Sequence, residues 1–248
     1  MFTVRSHNRS LGRLPSLVLS ALTVVVLVVP AAADPIVYDH AAQSPVVSTR
    51  ASQNQGGGPI EFQTWDNFSL LVSTSITGVT WQGSYFNTLV SDPTFAPSAN
   101  AAGFVVQFFS DLAGTPGALL ISQTFTPAAA NETFVGQQAF SATLGLSIYN
   151  YSVALAPTIT ASAGTSYWLS VYALSPLASA TEAQWGWNGG TGGDGSSVQA
   201  VFAVVNPANL DRAFALEGVA VPEPVSASLL ALGLSGLAAR AVRRRRRA

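Results

Sequence analysis

The chain has 248 residues, no cysteine and only 9% charged residues, so disulfide staples and thiol chemistry are excluded. Its formal net charge of −1 averages segments of opposite sign. Between residues 34 and 221 stand eleven acidic side chains against Arg50 and Arg212, about −9 in all, a surface that does not suit nucleic acid.

Arg5, Arg9 and Arg13 precede an apolar run over residues 17–29, and Ala31, Ala32 and Ala33 then supply small side chains. That is the three-part plan of a secretory signal peptide over residues 1–33. Cleavage after Ala33 would make Asp34 the mature N-terminus. Residues 34–59 are rich in Ala, Ser, Gln and Gly and show no sustained apolar period, which reads as an extended lead-in that contains His40.

From residue 60 to 219, short runs of β-forming residues alternate with turn signals, as in a sandwich. Strands are expected over 60–65, 68–72, 76–86, 104–110, 118–125, 132–140, 148–155, 166–173, 183–187, 198–205 and 212–217. No long amphipathic helix is visible. The expected fold is all-β, an antiparallel two-sheet β-sandwich of jelly-roll type, flanked by an N-terminal signal helix and a C-terminal membrane helix.

The residue inventory restricts chemistry. Past the signal segment the only histidine is His40, and lysine is absent, so Ser-His and Ser-Lys catalysis and a His/Cys zinc site have too few parts. Paired carboxylates remain open among Glu61, Asp66, Glu132, Glu182, Asp211 and Glu217. No catalytic residue and no resident cofactor are expected.

Two constellations suggest binding. Trp185 and Trp187 stand two apart and would share one strand face, where they could stack on a sugar while Asn188 bonds its hydroxyls; the alternative is that both rings belong to the core, where aromatics are commoner. The loop Gly192-Gly193-Asp194-Gly195 could offer Asp194 to calcium, with Asp66, Asn67, Asp92 or Asp111 as other loop ligands, or it is a plain turn.

At the C-terminus, Val221-Pro222-Glu223-Pro224 is followed by fifteen uncharged residues, 225–239, then Arg240 and Arg243, Arg244, Arg245, Arg246 and Arg247. The prolines delay any helix until the apolar run. From 225 to 242 such a helix is about 27 Å long, barely enough for a bilayer core of about 30 Å. The arginines would stay in the cytoplasm and leave the central domain on the other side.

These three elements, in this order at the extreme C-terminus, resemble the PEP-CTERM sorting tail of Gram-negative bacteria, over residues 221–248. The resemblance implies that Pro222, Glu223 and Pro224 are read, and the tail cut, by a membrane-embedded exosortase. It also implies a host that makes extracellular polysaccharide, with the protein membrane-tethered first and later at the cell surface or in the matrix. The middle of the chain resembles β-sandwich domains of such surface proteins through Trp65-Asp66-Asn67-Phe68, Val79-Thr80-Trp81-Gln82-Gly83, the stretch 108–117 and the stretch 167–173. That second resemblance implies a fold and no activity.

Overall fold

Strand alternation is clearest at residues 74–88, where Ile76 and then, past a register shift, Val79, Trp81 and Tyr85 point inward, with Thr80 and Gln82 on the opposite face. The computed structural model describes residues 34–54, 62–88, 101–139, 144–175, 184–202 and 204–222. Within them the chain forms β1 (Ile36–Ala42), β2 (Thr49–Ala51), β3 (Gln53–Asn54), β4 (Phe62–Ser69) and β5 (Thr74–Thr88). There follow β6 (Gly103–Asp111), β7 (Pro116–Phe125), β8 (Thr133–Ala139), β9 (Leu144–Ala161) and β10 (Ser166–Leu174). The last five are β11 (Trp185–Asn188), β12 (Gly190–Thr191), β13 (Ser196–Val201), β14 (Val204–Asn209) and β15 (Phe214–Ala220).

The described residues are all-β, in two sheets. In the first, β5 pairs β9 along one edge and β15 then β11 along the other; β9 continues to β8, β15 to β1 and β12, and β11 to β2. The second runs β14, β13, β4, β10, β6, β7, with β3 beside the end of β4 and β10. Pairing is antiparallel except between β3 and β10, which run parallel.

The main core lies between the sheets. Trp81 and Tyr151 of the first sheet stack 5.0 Å apart, and both meet Phe104 of the second. Side chains such as Ile76, Phe108, Leu169 and Leu216 are completely buried, each contributing roughly 1.5–3 kcal/mol. A smaller cluster of Trp65, Trp168, Val198 and Ala200 packs on the other face of the second sheet.

The lead-in differs from expectation. Residues 36–42, 49–51 and 53–54 are strands, and His40 is 1% exposed inside the first. The Asp66-Asn67 step does not break β4, because the Asp66 carboxylate is used between the sheets rather than in a turn. The expected strand 198–205 is a hairpin, β13 with β14. The expected signal helix, Ala33, Glu223, Pro224, the apolar run and the arginines from Arg240 to Arg247 lie outside the described residues. Among the described residues no helix is long and apolar enough to cross a membrane.

Candidate functional site

Two features share strand β1. Alternation sends His40 and Tyr38 inward and Asp39 outward, so neighbouring residues serve opposite faces of one sheet.

The inward feature is a buried polar clasp. Nδ1 of His40 lies 3.2 Å from Oδ2 of Asp66, which reaches across from β4, and Nε2 lies 2.7 Å from the Tyr38 hydroxyl. Asp66 also accepts the backbone N–H of Arg212 at 2.5 Å and that of Asn67 at 2.9 Å. Asp211 accepts the N–H groups of Gly193 and Gly195. Arg212, fully buried, donates from Nη2 to the carbonyl of Leu210 at 2.8 Å. The guanidinium bonds backbone carbonyls and meets Asp66 and Asp211 through charge alone, and with Asp194 nearby the acidic groups favour a proton on His40.

Burial raises the Asp66 carboxyl, outweighing its bonds to His40 and Arg212, and the imidazole is raised too, so the pair as a whole holds a proton more tightly. Burial alone would lower the His40 pKa, but the bond to Asp66 and the charges of Asp66 and Asp211 outweigh it and raise it above the usual value. Burial lowers Arg212 to about 10, which leaves it a cation at neutral pH. Burial also raises the Tyr38 hydroxyl, with the nearby Asp66, Asp211 and Asp194 adding to the rise, so it is a hydrogen-bonding group and a poor nucleophile.

Ligand atoms of His40, Asp66 and Asp211 lie within 4.8 Å of one another, close enough to suggest a metal. The donors are already engaged by protein hydrogen bonds, and Arg212 sits among them, so these residues do not fit a cation. His40 does have an orienting carboxylate, as a general base would, but its other nitrogen is taken by the half-buried Tyr38 phenol and the residue is 1% exposed.

The outward feature is a groove of about 510 Å³ across the outer face of the first sheet. Two cross-strand rows line it. In one, Asp39, Ala215, Thr80 and Ser152 are in register from β1 through β15 and β5 to β9. In the other, Gln82 of β5, Asn150 of β9 and Thr133 of β8 are in register, with Ala213 bonded through its carbonyl to the Gln82 N–H. Five strands at about 4.8 Å spacing make the face about 19 Å wide. Ala213 and Ala215 line the groove with short side chains that are themselves nearly buried, 1% and 6% exposed.

Gln82 is held at both ends, donating to Asn150 Oδ1 at 3.1 Å and accepting from Asn188 Nδ2 at 3.1 Å. Asp39, exposed in the groove wall, has no ion-pair partner among the described residues.

Of the two readings of Trp185 and Trp187, the core one holds. Trp185 and Trp187 are both 0% exposed; Nε1 of Trp185 donates to Tyr151 and that of Trp187 to the Ala213 carbonyl. Neither ring has a face free to stack on a ligand. Asn188 is equally buried, bonded to Ser84 and Gln82. A Cβ on Gly83 would lie 2.3 Å from the Trp185 ring, so glycine there makes room for the indole.

Asp194 caps its own turn through Ser196 and accepts Asn67 Nδ2 at 2.8 Å, which lowers its pKa despite partial burial. The plain-turn reading of that loop therefore fits better than a calcium loop. Asp111 likewise serves Trp168 and Gly114. Of the expected carboxylates, Asp66 and Asp211 come together in the clasp. Glu132 accepts hydrogen bonds from Tyr85 and Tyr151, and Glu217 pairs opposite Gly78; Glu61, Glu182 and Asp92 lie outside the described residues. The groove side chains escaped sequence reading because Thr, Gln, Asn and Ser on outward strand positions are ordinary, and only the register collects them.

A family model described as a domain of unknown function, DUF7901, matches residues 43–217, and the chain belongs to that family. No curated protein and no solved structure matches it. The matched span includes most of the expected lead-in, in keeping with strands β2 and β3 being part of the domain.

Proposed function

We propose that this DUF7901 protein is a non-catalytic surface or extracellular-matrix protein of a Gram-negative cell, exported through residues 1–33 and sorted by a PEP-CTERM-type tail. The observation that carries the reading is the ordered tail: Pro222-Glu223-Pro224, an uncharged run, then Arg240 and Arg243–Arg247. An exosortase would read the motif while the arginines hold the end of the chain in the cytoplasm. The domain itself is taken as a jelly-roll-like sandwich, associated on the non-cytoplasmic side with extracellular polysaccharide.

The geometry at the domain's end supports this arrangement. The Val221 N–H donates to the Ser73 carbonyl at 2.7 Å, and the next residue, Pro222, is exposed. The motif therefore begins where the chain leaves the sheet. Glu223→Ala, or deletion of residues 243–247, should mislocalise the protein or change its mature mass without lowering its melting temperature. Cell fractionation with mass spectrometry tests this. Unchanged location and mass in both variants would leave an ordinary anchor and remove the exosortase from the proposal.

A further inference from the structure

From the two registered rows on the outer face of the first sheet, we infer that the groove over Ala213 and Ala215 is a binding site for a neutral, polyhydroxylated glycan chain. The inference rests on the association with extracellular polysaccharide proposed above and adds a place and a ligand class.

The chemistry of the lining is that of hydroxyl recognition. Amides of Gln82 and Asn150 and hydroxyls of Thr80 and Ser152 each offer donor and acceptor atoms, which suits sugar hydroxyls that do both. Their spacing is regular, about 4.8 Å between strands and about 7 Å between rows, so an extended polymer can meet several of these polar groups at once. The Gln82 amide is fixed by Asn150 and Asn188, which reduces the entropy lost on binding. The floor is made of two alanines, leaving a trough instead of a ridge.

The sign of the charge selects the class. Asp39 stands in the wall without an ion-pair partner among the described residues, and residues 34–221 carry eleven acidic side chains against Arg50, Arg212 and His40. A polyuronate or sulfated chain would be repelled at long range, most strongly at low salt. The aromatic residues beneath the groove, Trp81, Tyr151 and Phe214, are 2–3% exposed and packed in the core, so stacking adds little. Each contact is then a solvent-exchanged hydrogen bond, and retention depends on repeated binding along a polymer.

The test uses the full chain purified in detergent and affinity electrophoresis through gels containing dextran, mannan or alginate. Dextran or mannan should retard the protein and alginate should not. Asn150→Ala should weaken retardation about three- to tenfold, the range expected for one hydrogen bond. Ala215→Leu, which fills the floor, should abolish it, and both variants are checked for an unchanged circular dichroism spectrum. If polysaccharide retards parent and both variants equally, the groove is not the site while the association with polysaccharide stands. Stronger retardation by alginate than by the neutral polymers would overturn the neutral class. If none of the three retards the parent, and the host's own extracellular polysaccharide does not either, the association reading itself falls.

Discussion

Nδ1 of His40 lies 3.2 Å from Oδ2 of Asp66, and this contact joins the first strand of one sheet to β4 of the other. Around it gather Tyr38 on the same strand, Asp194 in the loop before β13, and Asp211 and Arg212 ahead of β15. The acidic groups outnumber Arg212, so folding favours the protonated imidazole.

The pH dependence follows from that direction. A histidine whose pKa is higher folded than unfolded binds its proton more tightly in the native state, so stability falls as pH rises through the interval. The contribution is complete below about pH 6.5, the ordinary value, and is lost as pH climbs through the raised folded value. Residues 34–222 hold no other histidine, but burial also raises the Asp66 and Glu132 carboxyls, which adds a fall of the same sign, so the His40 share is the difference between parent and variant profiles. Thermal melts of the full chain from pH 5.5 to 9 should show this decline, and His40→Gln should make it shallower. A parent profile that rises with pH in this window would mean His40 is held neutral.

Asp66 should be far more sensitive than its place in a "DN" step suggests. It is fully buried and accepts from His40, Asn67 and Arg212. Asp66→Ala leaves those donors unpaired and the cations uncompensated, a loss of roughly 3–5 kcal/mol. Urea denaturation measures it; a loss under about 1 kcal/mol, the range of surface pairs, would show that the clasp does not hold the sheets together.

The same residue shows why the fold was only partly legible in the sequence. Apolar alternation announces strands whose inward positions are Val, Phe, Trp or Leu, and β5, β6 and β10 were found on that signal. β1 and β3 place His40 and Gln53 inward, so their pattern reads as polar and irregular. Such residues are tolerated in the interior only because partners from distant segments satisfy them, and a local pattern does not display those partners. The candidate groove was illegible for a related reason. Asp39, Thr80 and Ser152 are far apart in sequence and are brought together by pairing register alone.

Replacing Trp185 tests the core reading against sugar stacking. The ring lies against Gly83, edge-on to Phe104, with its N–H bonded to Tyr151. Trp185→Ala should cost roughly 3–5 kcal/mol by leaving a large cavity. Trp185→Phe keeps part of the packing and should lower the melting temperature less while leaving polysaccharide retardation equal to the parent's. Retardation lost in Trp185→Phe at a temperature where that variant is fully folded would return the indole to the binding site.

The loop that closes over the clasp offers a sharper contrast between two glycines. A Cβ on Gly193 would sit 2.3 Å from Nε2 of His40 and 2.7 Å from Cγ of Asp211. Both neighbours are buried and hydrogen-bonded, so neither can step aside. Gly193→Ala should therefore push the loop outward and weaken the N–H bonds that Gly193 and Gly195 give to Asp211. Overpacking of this kind costs typically about 1–3 kcal/mol, with the broken bonds added. Gly195 has open space at its Cβ but a φ of +79°, so Gly195→Ala should cost about 1 kcal/mol through backbone conformation alone. The two variants should also differ in their pH profiles. In Gly193→Ala, Asp211 moves away from His40 and the fall in stability above pH 6.5 should shrink; in Gly195→Ala it should persist. Equal destabilisation with identical profiles would mean that Gly193 does not press on the clasp and that the loop is free of the histidine beneath it.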